Sequence, residues 1–331
     1  MSEMDFVSMR IIRELCMNGR IPVSALAKKV GAARSTIIRK LKFLEREIGL
    51  KYTIEFDTQK LGLPFCYLIS VRLRRDFSPK ELAELLSKSK IPQFAAICKG
   101  EFDLLIYATA KRHIDYIRWE YDVRSAFEDD LISWKASHVV FARHGFFPIR
   151  SETLESLELP QLDKKMLIEL NNNARISFKK LAKKAGSTLT QVRYRFKQLL
   201  KSGLIRRFTA IMLTPPLSNN VAYFLYYTFR KEHEEMSIRA RNIILSEEEL
   251  VPENTYCIVF ETSGAADGFD WVTADDIKTA YMHVKEIERV YQGNLRTESA
   301  AVISPVLGMI PARSMDLRQV YDTSSWEKPE L

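Results

Sequence analysis

The first chemistry that this sequence offers is phosphate binding by a basic segment in its second half. Residues 175–208 carry many Lys and Arg side chains and neither Asp nor Glu. Cationic side chains gathered in this way neutralise phosphates, so the segment favours a nucleic-acid surface over a merely solvated helix face. The whole 331-residue chain is also positively charged, with a formal net charge of +8. An anionic partner is therefore expected, nucleic acid before an anionic membrane surface.

A six-residue motif occurs twice and organises the chain around it. Leu-Ala-Lys-Lys-Val-Gly at 26–31 returns as Leu-Ala-Lys-Lys-Ala-Gly at 181–186, and the same offset places Arg20-Ile21 on Arg175-Ile176. Each copy follows an apolar helical pattern and precedes a basic one. The glycine of each motif is able to take the left-handed conformation of a sharp turn. Two short helices around such a turn, followed by a basic face, predict a helix-turn-helix in each half.

In a helix-turn-helix the last helix enters the major groove of DNA, and its first turns face base edges or nearby phosphates. Arg binds guanine and Gln binds adenine through two hydrogen bonds. Lysines of the preceding helix and basic residues of the following strand are expected to meet phosphates. Any single lysine is as often part of a solvated face, so the prediction concerns the set. The predicted DNA-binding residues are Lys28, Lys29, Arg34, Ser35, Thr36, Arg39, Lys42, Lys51, Lys183, Lys184, Thr188, Thr190, Gln191, Arg193, Tyr194, Lys197, Arg206 and Arg207.

A strand pattern follows each basic helix and predicts a wing, at residues 51–56 in the first half and at 203–208 in the second. The first half then continues with alternating strand and helix patterns. Ser78 and Pro79 are a good N-cap and first residue for one of these helices. Ile114, Ile117, Tyr121 and Val123 are among the apolar positions of the next. The predicted order is strand 65–74, helix from 79, strands 94–98 and 104–108, helix 112–127 and strand 132–141, which is the ferredoxin-like β-α-β-β-α-β unit.

The second half repeats this order less regularly. After its helix-turn-helix, a strand is predicted at 221–229 and a central hairpin at 256–261 and 269–273. Helices are predicted at 232–245 and 276–290, and a last strand at 300–303. The acidic segment 150–160 ends in Leu-Pro and suits an extended linker.

The predicted fold is therefore α+β, with two winged helix-turn-helix domains and two ferredoxin-like domains in tandem. The predicted domains are 1–60 (first winged helix-turn-helix), 61–149 (first ferredoxin-like), 150–160 (linker), 161–214 (second winged helix-turn-helix), 215–311 (second, divergent ferredoxin-like) and 312–331 (polar tail).

These patterns together resemble the Lrp/AsnC family of prokaryotic transcription regulators, which join a winged helix-turn-helix to a ferredoxin-like effector domain. The resemblance covers residues 5 to about 305. In the first half the matching residues are Arg20-Ile21, Leu26-Ala27, Gly31, Ser35-Thr36, Ile37 and the Leu41/Leu44 pair. In the second half they are Arg175-Ile176, Leu181-Ala182, Gly186, Thr190, Val192, Arg195-Phe196, Leu199 and Gly203-Leu204-Ile205. The usual member has one such unit per chain, so the tandem form is a departure.

The resemblance implies sequence-specific binding of double-stranded DNA, modulated by a small ligand such as an amino acid. Gly100 and Asp103 match the glycine-x-x-aspartate hairpin near which the family's ligand binds, although an ordinary turn uses the same residue types. The counterpart at residues 264–270 looks longer and ambiguous. Family members pair through their sheets, so the resemblance also implies self-association through the ferredoxin-like domains, within or between chains. Because the two recognition helices differ, two unlike half-sites are expected.

Siroheme decarboxylases share this two-domain build and are the enzymatic alternative. They require acid–base or propionate-binding residues, typically His and Arg, in the ferredoxin-like cleft. The five histidines form no recognisable signature of that kind, so no catalytic residue is assigned and a function other than catalysis is expected. The histidines are His113, His138, His144, His233 and His283.

No cofactor or metal is expected. The sequence lacks a glycine-rich phosphate loop and any paired Cys/His spacing for zinc. The four cysteines form no C-x-x-C pair, which indicates reduced, buried thiols. The acidic start has no apolar core of a signal peptide, and no apolar run approaches the length of a membrane span. A cytoplasmic, nucleoid-associated protein is predicted.

Overall fold

In the computed structural model, the chain begins with three helices and a strand. The structure describes residues 6–47, 49–144, 146–212, 221–229, 256–274 and 295–307, together with 281, 282, 284, 285 and 289. Gly31 ends the second helix at φ 74°, and its N–H donates to the carbonyl of Ala27. Leu26, Ile37 and Leu44 are buried where the helices meet. The elements are α1 Phe6–Met17, α2 Val23–Val30, α3 Arg34–Arg46 and β1 Leu50–Phe56.

The β-α-β-β-α-β order predicted for the next segment is confirmed. Ser78 caps the first helix of this unit: its Oγ accepts the Glu81 N–H at 3.2 Å, and the Glu81 carboxylate accepts the Ser78 N–H at 2.7 Å. The sheet has the order β3-β4-β2-β5, with every neighbouring pair antiparallel. The elements are β2 Phe65–Leu73, α4 Pro79–Ser87, β3 Pro92–Gly100, β4 Leu104–Ala110, α5 His113–Phe127 and β5 Leu131–His144.

Helix α5 buries a different face from the one that its apolar residues suggested. Ile114, Ile117 and Tyr121 are 46%, 41% and 72% exposed. The buried stripe is formed instead by Tyr116, Trp119, Val123 and Phe127. Both sets have helical spacing, and the set with the larger aromatic side chains buries more apolar area against the sheet.

The segment predicted as an extended linker forms a short packed helix, α6 Ser151–Glu155. Leu154 and Leu157 are 1% and 8% exposed and belong to the core of the helical part of the molecule. Thr153 donates from its hydroxyl to the Lys90 carbonyl at 2.9 Å. The acidic residues that suggested a linker are exposed, while apolar residues three apart face inward.

The second half repeats the helical unit and the strands of the sheet. Its helical elements are α7 Gln161–Asn172, α8 Phe178–Ala185, α9 Leu189–Lys201 and the strand β6 Ile205–Met212. Its further strands are β7 Val221–Phe229, β8 Tyr256–Gly264, β9 Gly268–Ala274 and β10 Leu295–Leu307. The helix predicted at 232–245, most of the helix predicted at 276–290 and the tail at 312–331 lie outside the described residues.

The two sets of sheet strands close into one barrel. The order β8-β9-β7-β10 in the second half repeats the order β3-β4-β2-β5 in the first half. Antiparallel pairing of β10 with β3 and of β5 with β8 joins them. Aromatic rings fill the interior, with Phe147 lying 4.7 Å from Phe94, 4.9 Å from Tyr107 and 5.7 Å from Trp271 between ring centroids. The two four-stranded sets therefore pair within one chain.

The strands predicted as wings also pair with each other rather than with a strand of their own unit. In the register of the antiparallel β1–β6 sheet, Thr53 lies opposite Thr209. Thr53 Oγ1 donates to the Asn171 carbonyl at 2.7 Å, and Thr209 Oγ1 donates to the Cys16 carbonyl at 2.8 Å. Each helical unit is thus held by the strand of the other, in a nearly two-fold arrangement.

The three cysteines whose side chains the structure describes are free thiols, with Cys66 and Cys98 buried and Cys16 half-buried. Burial raises the pKa of the Cys66 thiol above its ordinary value. Within the described residues, no helix is both long enough and apolar enough to cross a bilayer.

One ion pair shows that the two halves of the barrel are not equivalent. Lys135 and Glu298 occupy equivalent positions, each two residues before the residue that lies opposite a hairpin glycine. Their side chains bind each other, with Lys135 Nζ 2.7 Å from both carboxylate oxygens. In two identical units the same charge would face itself at this point.

We expect Lys135→Glu to destabilise the barrel by about 1 kcal/mol, because two carboxylates would then meet at a partly exposed site. The charge-reversed double variant Lys135→Glu/Glu298→Lys should recover most of that loss. Urea unfolding of the wild type, both single variants and the double variant measures the coupling. Additive effects of the two changes would show that the pair contributes nothing.

Candidate nucleic-acid interface

The predicted base-facing residues of both recognition helices lie on exposed faces. On α3, Arg34, Ser35, Arg39 and Lys42 are exposed and Thr36 is half-buried. On α9, the exposed residues are Thr190, Gln191, Arg193, Tyr194 and Lys197. Each helix presents them because its opposite face is fixed in the core by Ile37, Leu41 and Leu44 or by Val192, Phe196 and Leu199.

The first turn of α9 is pre-organised by local hydrogen bonds that α3 lacks. Thr188 is the N-cap, and its Oγ1 accepts the Gln191 N–H at 3.2 Å. Ser187 donates its hydroxyl to Gln191 Oε1 at 2.7 Å, which leaves the amide N–H donors of Gln191 for other partners. The equivalent N-cap of α3 is Ala33, which has no side-chain cap. Thr188 is predicted to contact DNA, and its hydroxyl already caps α9.

The motif lysines of the second helices separate into two kinds. Lys29 binds Glu14 at 2.7 Å, and Lys184 binds Glu169 at 2.6 Å, so the same exposed ion pair occurs in both halves. Lys28 and Lys183 are exposed and have no ion pair among the residues that the structure describes. The latter two are therefore the better placed for phosphates.

The two arginines of β6 are engaged within the protein, and the lysine of β1 is not, among the residues that the structure describes. Arg207 forms a hydrogen-bonded ion pair with Glu55, which is 6% exposed in its side chain. Arg206 lies 3.7 Å from Glu55 and 3.9 Å from Asp57. Lys51 is exposed at the equivalent place in the first half. A phosphate would have to compete with these carboxylates for Arg206 and Arg207.

Sequence inspection missed an ion pair that orients α9. Arg195 Nε donates to Asp163 Oδ1 at 2.8 Å, and a second N–H of the same guanidinium binds the other oxygen. Asp163 is 3% exposed, and this pairing raises the pKa of Arg195. The equivalent positions of the first half are Ser8 and Lys40, both buried. Comparing the two halves at their fixed offset would have revealed this difference.

The repeated arginines of the family pattern hold the two helical units together. Arg175 donates to the carbonyls of Gly19 at 2.7 Å and Ile21 at 3.1 Å, and its guanidinium lies 4.2 Å from the Tyr52 ring centroid. Arg20 donates to the Ile176 carbonyl at 3.2 Å. Its guanidinium lies 5.1 to 5.5 Å from three phenylalanine rings, Phe178, Phe196 and Phe208. Burial, and then the charge of Arg175, lower the pKa of Arg20.

The glycine-x-x-aspartate hairpin has a structural role in both halves. A Cβ at Gly100 would lie 2.5 Å from the Ser299 carbonyl oxygen of β10, so only glycine allows this strand to approach. Asp103 Oδ2 accepts the Leu73 N–H at 2.9 Å. In the second half, Asp267 Oδ2 accepts the Phe229 N–H at 2.8 Å. The counterpart hairpin is thus 264–267, equal in length to the first, and the expectation of a longer hairpin was wrong.

The residues that an enzyme would need are only partly within the described region. Tyr67 O–H and His113 Nδ1 share a hydrogen bond of 2.6 Å, and the Tyr67 and His138 rings are 5.4 Å apart. Burial, and then nearby His113, lower the pKa of His138. The structure gives no side-chain description for His144, His233 or His283. Among described residues no group of three His, Cys, Asp or Glu could hold a metal.

Both helical units match known DNA-binding domains. An AsnC-type helix-turn-helix domain matches residues 4–45, and a winged helix-turn-helix DNA-binding domain matches residues 159–206. An uncharacterized HTH-type transcriptional regulator of Pyrococcus horikoshii is 45% identical over 110 residues, which is 32% of this chain and 73% of that protein. The chain belongs to the Lrp/AsnC family of HTH-type transcriptional regulators.

Other relatives agree with this membership. The proline dehydrogenase transcriptional activator of Rhodobacter capsulatus is 34% identical to this Lrp/AsnC-family chain over 107 residues, 31% of this chain and 68% of that protein. The crystal structure of the siroheme decarboxylase NirDL covers 91% of this chain and 92% of its own, at 12% identity and a TM-score of 0.55. At that identity the likeness shows a shared fold alone. The helix-turn-helix matches and the regulator relatives, in contrast, show that the chain is a DNA-binding regulator.

We expect Arg175→Lys in this Lrp/AsnC-family protein to lower the free energy of unfolding by about 2 kcal/mol. A lysine has no planar fork with which to bind two carbonyls and lie on the Tyr52 ring. Urea unfolding measures the loss, with Lys180→Ala on the exposed face of α8 as the matched control. Unchanged stability with weakened DNA binding would instead make Arg175 a DNA contact.

Proposed function

We propose that this chain is a tandem regulator with the order helix-turn-helix, ferredoxin-like, helix-turn-helix, ferredoxin-like, which binds double-stranded DNA sequence-specifically through α3 and α9. One observation carries the proposal. The residues that the family pattern assigns to DNA are exposed on both recognition helices, while the motif around them builds the core. Such a regulator acts in the cytoplasm, where its DNA is.

The base contacts proposed are those of Arg34, Ser35 and Arg39 on α3 and of Gln191, Arg193 and Tyr194 on α9. Arg supplies paired donors for guanine, and Gln191 retains its amide donors although its oxygen is occupied. Lys28, Lys183 and Lys51 contribute phosphate contacts that fix position without carrying sequence information.

The intrachain pairing supports an asymmetric operator. β1–β6 and the closed barrel hold the two units as a pair, so the second recognition helix meets DNA without a second chain. α3 and α9 differ in their caps and in the Asp163–Arg195 ion pair, so the preferred site has two unlike half-sites. Two helices on one face of DNA place the half-site centres about 34 Å apart, or a multiple of that distance.

Modulation by a small ligand such as an amino acid is part of the proposal. Its support is the family, in which the glycine-x-x-aspartate hairpin lies near the ligand. Gly100 and Asp103 keep that assignment as a prediction beside the structural roles described above. The family resemblance also supports further association of chains through the ferredoxin-like domains. The exposed apolar side chains of Ile114, Ile117 and Tyr121 on α5 could take part in such a contact.

Salt-dependent binding to random-sequence duplex DNA tests the proposed function. We expect affinity, measured by fluorescence anisotropy, to fall steeply with salt, because each neutralised phosphate adds about 0.9 to the log–log slope. No binding even at low salt would overturn the proposal.

The whole-chain likeness to NirDL specifies the enzymatic alternative, a siroheme decarboxylase-like protein with the same fold. The cluster of Tyr67, His113 and His138 is the described group that would then need a catalytic role. Titration with siroheme, followed by its visible absorption, separates the two proposals. Tight binding of siroheme together with no binding of DNA would establish the alternative.

We expect the double variant Lys28→Ala/Lys183→Ala to bind random duplex DNA with a salt slope lower by about 2, because two phosphate contacts are removed. Lys80→Ala is the matched control, since Lys80 is an 85% exposed lysine on α4, outside the helical units. An unchanged slope in the double variant would show that these lysines are only solvated.

A further inference from the structure

A cleft of about 380 Å³ lies where the first ferredoxin-like sheet meets the segments that lead to both helical units. One wall is residues 60–63, between β1 and β2. Another is residues 156–159, between α6 and α7. The end of β4 and the start of α5 complete the lining, with Thr109 and Lys111. The volume suits a metabolite-sized molecule.

The charges of the cleft leave an excess of positive charge. Lys111 pairs with Glu158, and Asp115 is held by Arg112 through two hydrogen bonds of 2.9 and 2.5 Å. Both carboxylates that line the cleft are therefore neutralised. Lys60 and Lys90, which also line it, are exposed and form no ion pair with any residue that the structure describes.

A buried hydroxyl in the same lining lacks a partner. Thr109 is 1% exposed, and its Oγ1 makes no hydrogen bond within the described part of the chain. A buried hydroxyl without a partner is unfavourable, and a ligand acceptor in the cleft would satisfy it. The lining of the cleft thus contains this hydroxyl and the ammonium groups of Lys60 and Lys90 as hydrogen-bond donors.

Apolar side chains supply the rest of the lining. Leu61, Leu63 and Leu157 face the cleft and belong to the same core cluster as the two helical units. The ammonium of Lys60 also lies against the turn after α9, since a Cβ at Gly203 would be 2.5 Å from it. A molecule in the cleft would therefore touch the parts of the chain that position both recognition helices.

We propose that this cleft binds a small organic acid with an apolar body and no ammonium group, and that its occupancy changes DNA affinity. Lys60 and Lys90 bind the carboxylate, and the Thr109 hydroxyl donates to it. An α-ammonium group is disfavoured, because the cleft already has unpaired cations and both its carboxylates are taken. An apolar 2-oxo acid fits better than the corresponding amino acid.

The cleft is a different place from the hairpin that the family resemblance assigns to a ligand. Gly100 and Asp103 precede β4, whereas Thr109 and Lys111 lie at its other end. Thr109 lies six positions after Asp103 along an extended strand, a rise of about 20 Å. The binding part of the proposal stands without the proposed function, while the effect on DNA affinity rests on it.

Isothermal titration calorimetry without DNA tests the binding with two probes of equal shape, 4-methyl-2-oxopentanoate and L-leucine. We expect the oxo acid to bind at least about tenfold more tightly than L-leucine, a difference of about 1.4 kcal/mol. Lys60→Gln/Lys90→Gln should abolish the heat, and Thr109→Val, which keeps the shape and removes the hydroxyl, should weaken binding about tenfold. Lys80→Gln is the matched surface control and should bind as the wild type does.

Several outcomes would overturn the site. They are equal heats for the two probes, no heat for either, tighter binding of inorganic phosphate, or binding that survives both sets of changes in the cleft. Anisotropy with duplex DNA then tests the coupling, with at least a twofold change in affinity expected when the oxo acid is present. Bound oxo acid with unchanged DNA affinity would overturn the coupling. Bound oxo acid with no DNA binding would overturn the proposed function and leave the site standing.

Discussion

Unpaired strand edges are the constraint on which this structure depends. β1 and β6 each find their antiparallel partner in the other half of the chain, and the outer strands of each sheet pair only by joining the other sheet. An exposed strand edge invites pairing with any available strand, so neither half is complete alone. The pairing is supported by Arg175 and Arg20, which cross between the helical units, and by the aromatic interior of the barrel. This pairing in turn fixes the positions of the two recognition helices relative to each other.

Fusion of the two units frees equivalent positions to differ. In a pair of identical chains, every residue near the two-fold axis meets its own copy. Here Lys135 meets Glu298, and the partly buried Asp163–Arg195 pair stands where the first half has Ser8 and Lys40. Opposite charges across the axis favour the pairing of unlike halves over like ones. The same divergence gives α9 a capped, hydrogen-bonded first turn that α3 lacks.

Local sequence patterns predicted the helical units and the first ferredoxin-like order because caps, turns and periodicity are encoded within short segments. The capping box at Ser78 and the turn glycine at Gly31 are examples. Partners distant in sequence were not predictable in the same way. β1 looked like a wing, since its alternation does not show which strand it pairs with. The buried stripe of α5 depended on the sheet beneath it, and the roles of Arg206 and Arg207 depended on Glu55 from the other half.

The central claim is that one chain holds two unlike recognition helices as a fixed pair over DNA. Selection of bound duplexes from a random-sequence library tests this most directly. We expect an enriched site with two different half-sites whose centres are about 34 Å apart, or a multiple of that distance. A perfectly palindromic preferred site would contradict the claim that the two halves bind different sequences. Absence of any enriched sequence would contradict specific DNA binding itself.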